Sequence, residues 1–147
     1  RMHTSLSSAL ALLAISGLTL QAQTSQLINK ETLPYFRFVL DKVANPDGTS
    51  AERSSREDVF ATQLGLSKAQ LAQVQSITLE YREELSKLRS RMREVESLAP
   101  VLSPIVADNA FRDLCTERDV LVERLAKKLL NHLGTETAQH LIPTKHQ

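Results

Sequence analysis

The stretch from Leu64 to Leu98 constrains this chain most, because after Gly65 it runs for more than thirty residues without a glycine or proline. Within it Val74, Thr78, Tyr81, Leu85, Leu88, Met92 and Val95 recur at alternating spacings of four and three, a coiled-coil seam broadened at its start by Leu71 and Ile77. The other face carries both signs of charge, from Glu80, Arg82, Glu83 and Glu84 through Lys87, Arg89, Arg91, Arg93, Glu94 and Glu96. One helix over 68–98 is predicted, roughly 45 Å long at about 1.5 Å per residue, laying one stripe on a partner. Its start is sharp. Ser67 and Gln70 form a capping box, each side chain answering the other's backbone N–H, and Gly65 can turn the preceding chain in the left-handed conformation.

Shorter elements flank this one. Thr32 is placed to cap a helix over 33–44 with Pro34 in its first turn, and Asn45-Pro46-Asp47-Gly48 ends it with turn residues. Ser54 and Glu57 have capping-box spacing and predict a short helix over 56–64, stopped by Gly65. Pro100 and Pro104 then break the chain, and a second long helix follows from Asp108 or a little earlier to His132 and Leu133, ended by Gly134. Thr135 can cap a last helix over 136–141, stopped by Pro143.

The fold class that follows is all-α: a long antiparallel helical hairpin with short flanking helices. Two long helices joined by a short turn pack antiparallel, which pairs Met92 with Leu114, Leu85 with Leu121, Tyr81 with Leu125 and Val74 with Leu133. A bare hairpin buries little surface per residue. The short helices and a second copy of the chain are both expected to cover the remaining apolar face, making the molecule a homodimer.

Residues 1–22 have the pattern of an export signal, with an apolar run from Leu6 to Leu20 and a cleavage site at Leu20-Gln21-Ala22, although Arg1 ahead of Met2 makes a poor basic region. The mature part, 23–147, is then a single helical domain with no membrane span, periplasmic or secreted. Of 18 Lys and Arg residues the segment removes only Arg1, which leaves 17 bases to 17 acids. A neutral chain lacks the basic excess of a nucleic-acid binder. Cys115 is the one cysteine, so no internal disulfide can form, and it falls on an apolar helix face.

Leu66-Ser67-Lys68-Ala69-Gln70 resembles the LTxxQ motif of small periplasmic helical proteins of the CpxP and Spy type and of related periplasmic heavy-metal sensors. A looser second copy stands at Leu133 to Gln139, and the resemblance covers about residues 56–142. It implies an exported, often dimeric hairpin that either holds an unfolding client without ATP or binds an envelope signalling protein. The chain departs from the chaperone pattern in its neutral charge and its two Met residues.

No catalytic constellation is written here. HExxH, a phosphate-cradling glycine loop and a nucleophile elbow are all missing, so the expectation is no enzyme. The expected role is a protein-binding module, a chaperone or a modulator of envelope stress, that uses apolar Phe36, Phe60, Leu71 and Ile77 beside a basic strip of Arg82, Arg89 and Arg93. Two alternatives remain open. His132, Glu136 and His140 recur at intervals of four and would share one face of a continuous helix. Gly134 breaks that helix, so a site for a divalent transition metal needs the bend to bring the two imidazoles together, completed by Glu136 or a partner-chain group. Otherwise the chain is structural, with no cofactor and no chemical activity.

Overall fold

The computed structural model describes residues 27–141, and the segment expected to act as an export signal, 1–22, lies outside them. Five helices follow in order: α1 Leu33–Val43, α2 Ser50–Leu64, α3 Lys68–Leu98, α4 Pro104–Leu133 and α5 Thr135–Leu141. Among the described residues every regular element is a helix, so the molecule is all-α.

Helix α1 begins where expected, with Pro34 in its first turn, but Thr32 does not cap it. Its hydroxyl instead donates to the Leu27 carbonyl (2.7 Å) and accepts from the Asn29 N–H (2.9 Å). The Asn29 side chain accepts from the N–H groups of Glu31 (2.9 Å) and Thr32 (3.0 Å), so an Asx turn leads into the helix.

Helix α2 starts at Ser50 rather than near Arg56. An earlier box does the capping: Thr49 accepts from the Glu52 N–H and Glu52 reaches back to the Thr49 N–H. Ala51 to Ser55 carry no apolar period, yet none of them opposes a helix once a cap precedes them. Gly65, at φ 64°, closes α2 in the left-handed region. Its N–H bonds Thr62 and the Leu66 N–H bonds Ala61 (2.9 Å), the paired closure of a Schellman motif.

The long helix α3 has the predicted bounds and its Ser67–Gln70 box is complete in both directions. Helix α4 begins at Pro104, not Asp108. Ser103 caps it, and proline at the first helical position gives up an N–H that would have had no partner there.

Helices α3 and α4 share the most extensive contact in the molecule, and α1 lies across both. Cross-helix pairs descend along α4 as they ascend α3. Gln70 Nε2 donates to the His132 carbonyl (3.3 Å), Glu80 meets Lys128 (3.0 Å) and Arg124, and Arg91 meets Glu117 (3.0 Å). The core gathers at one end, where Phe36 and Leu40 of α1 pack with Val74, Ile77 and Tyr81 of α3 and with Val122, Leu125, Leu129 and Leu130 of α4. Past Leu88 no residue of α3 is buried, so among the described residues the end carrying the α3–α4 turn is two helices thick.

Candidate functional site

A buried polar knot sets the position of α2. Glu57, 6% exposed, accepts from the Thr78 hydroxyl (2.8 Å) and from Arg82 Nη2 (3.1 Å), while Arg82 Nε donates to the Ala44 carbonyl (2.9 Å) at the end of α1. The carboxylate ties α2 to α3, and Arg82 carries the link on to the end of α1. Nearby, the buried Tyr81 hydroxyl donates to Asp41 of α1. Burial, with the Asp41 carboxylate adding to it, pushes the Tyr81 phenol well above its ordinary value.

These contacts reassign several residues expected to bind partners. Phe36 and Ile77 are 1% and 3% exposed and belong to the core, where no partner can reach them. Arg82 serves the internal knot, because Glu57, which the sequence suggested as a helix cap, turns inward to meet it. Leu71 and Phe60 are half-buried, and Arg89 and Arg93 are exposed on α3. Arg91, between them, is held by Glu117. A continuous basic strip including Arg82 is therefore not formed.

The metal reading is corrected as well. Gly134, at φ 82° and ψ 164°, ends α4 as expected, and the bend it makes does not gather His132 with the α5 residues Glu136 and His140. Among the described residues no group of three His, Cys, Asp or Glu side chains is placed to hold a metal ion.

Two exposed apolar surfaces take the place of the expected one. The first is the tip of the α3–α4 pair, where Leu98, Val101, Ile105 and Val106 are all large and exposed, Val101 at 79% and Ile105 at 73%. From Glu94 to Phe111 the only charged residues are Glu94, Glu96 and Asp108, so the rim of this tip is acidic. The second is a groove of about 370 Å³ between α1 and α2, edged by Leu141 of α5. Its walls include Phe38 and Val59, 63% and 52% exposed.

Sequence periodicity passed over the tip, and reached the groove only through Phe60, for a physical reason. Phe38 lies off the apolar stripe of α1, and Val101 to Val106 sit in and after a proline turn, where no period is defined. The available signal was apolar residues outside any stripe. Compared with family models, curated proteins and solved structures, the chain finds no match.

Proposed function

We propose that this chain is an exported protein-binding module, an α3–α4 hairpin whose apolar tip holds exposed apolar segments of partly unfolded proteins without ATP. One observation carries the reading: four large apolar side chains stand exposed within nine residues, at the end of the α3–α4 pair where, among the described residues, no third helix covers it. An apolar cluster rimmed by charge gives affinity at its centre and solubility at its edge. Because the rim is acidic, the preferred segments carry Lys or Arg beside their apolar residues.

Export rests on the Leu6–Leu20 run, and no described helix is long and apolar enough to cross a membrane. The same tip could engage a folded envelope partner, which competition by that partner against client binding would reveal.

The test is light scattering from a thermally unfolding client with the chain added in the absence of ATP. The wild-type chain delays aggregation, and the double variant Val101→Ser, Ile105→Ser loses most of that effect with an unchanged melting temperature. Equal protection by both proteins, or none by either, sinks the tip as the binding surface.

A further inference from the structure

The α1–α2 groove has a polarity that the tip lacks, and it is independent of the function proposed for the tip. On α1, Tyr35, Phe38, Val39 and Lys42 occupy positions i, i+3, i+4 and i+7; on α2, Arg56, Val59, Phe60 and Gln63 do the same. Each helix thus turns one complete stripe toward the same space. Both charged lining residues, Lys42 and Arg56, are cations.

The two cations stand at the same end. Lys42 lies at the end of α1 nearest the link to α2, and Arg56 donates through Nη1 to the Asn45 carbonyl (2.7 Å) and through Nη2 to the Asp47 carbonyl, both in that link. The link therefore fixes the guanidinium in place. Neither cation forms an ion pair among the described residues. Two acids stand near that end, Asp47 in the link and Glu52 on α2, the latter engaged by the Thr49 capping box, but neither lines the groove. From Lys42 back to Tyr35 the apolar wall runs about 10 Å along α1.

We propose that this groove binds a free anionic amphiphile of the fatty-acid class, its carboxylate between Lys42 and Arg56 and its acyl chain along Phe38, Val39, Val59 and Phe60. The volume lies at the lower end of the range for small-molecule sites, which are mostly apolar with a few placed polar groups. A chain in the groove covers Phe38 and Val59, two of the large apolar side chains that helix packing leaves in water. The head meets Lys42 and Arg56, the two charged side chains that line the groove. An uncharged amphiphile of equal length would gain the first contribution and lose the second.

Calorimetry of the full chain with decanoate, below the concentration at which it forms micelles, tests this. Decanoate binds saturably at one site per chain, and decanol binds about fivefold or more weaker. Lys42→Gln reduces decanoate affinity by roughly threefold to fivefold and leaves decanol unchanged. Phe38→Ser weakens both ligands by about tenfold and, because Phe38 is exposed, leaves the melting curve measured in parallel unchanged. Absence of saturable binding overturns the proposal, as does equal affinity for decanoate and decanol. Failure of decanoate beside Lys42-dependent binding of an acid-flanked apolar peptide also overturns it and makes the groove a peptide site. Client protection by the tip is measured separately, so either proposal can fail alone.

Discussion

Glu57 is where a single side chain decides the arrangement of three helices. Its carboxylate is buried and satisfied by Thr78 and Arg82, and Arg82 is in turn held by the Ala44 carbonyl. A buried ion pair contributes little over an apolar pair of the same shape, because desolvation of both charges offsets their attraction. Removing one partner is different, since the other is left buried without a counter-charge. Glu57→Ala is expected to destabilise the chain by about 3 kcal/mol, while Glu57→Leu combined with Arg82→Met returns to within about 1 kcal/mol of wild type. Urea unfolding of the two proteins measures both values. A double variant as unstable as the single one would mean that the Thr78 and Ala44 bonds, rather than charge pairing, hold the knot.

At the scale of elements, the caps determine where each helix begins and ends. Gly65 has φ 64° with open space around its α-carbon, so a methyl group there meets no atom and its cost is conformational alone. Gly65→Ala is expected to lower stability by about 1 kcal/mol with an unchanged urea slope, and Ser67→Ala by a similar amount through loss of the α3 cap. A neutral Gly65→Ala would show that the Schellman closure is not needed to join α2 to α3. The same caps explain what the sequence made legible. Helix α3 could be read to the residue because Ser67, Gln70 and Gly65 are local signals, and these capping roles account for the letters of the LTxxQ-like stretch without any partner. The start of α2 was misplaced because Thr49–Glu52 and Ser54–Glu57 have identical spacing, and only tertiary contact with Arg82 distinguishes a capping glutamate from a buried one. The metal cluster failed for a different reason: the break at Gly134 was legible, but whether the bend gathers His132, Glu136 and His140 depends on tertiary geometry, and it does not. Surface sites were least legible of all, since exposure of Phe38 or Ile105 depends on which neighbours are absent.

The whole molecule combines a core at one end with charge pairs spread along α3 and α4, and this division gives its stability two limits in pH. Hydrogen bonds from Arg124 and Lys128 hold the Glu80 carboxyl below its ordinary value of 4.5, and Arg91 does the same for the more exposed Glu117. For a carboxyl whose folded pKa is depressed, the unfolded chain takes up protons first as pH falls. The stabilising contribution is therefore fully present above about 4.5 and is lost as pH drops below it. Tyr81 acts in the opposite sense. Its phenol is raised above the ordinary 10.0, so the folded state keeps a proton that the unfolded state releases, and stability declines as pH climbs past 10. Urea midpoints should be level between these limits and fall on both sides. Glu80→Gln should flatten part of the acid limb and leave the alkaline limb unchanged, whereas Tyr81→Phe should do the reverse. The acid limb should also shrink in high salt, because the Glu80 and Glu117 pairs lie near the surface, and the alkaline limb should not, because Tyr81 is screened by the core around it. An alkaline limb that survives Tyr81→Phe would move its cause from the core to the surface lysines.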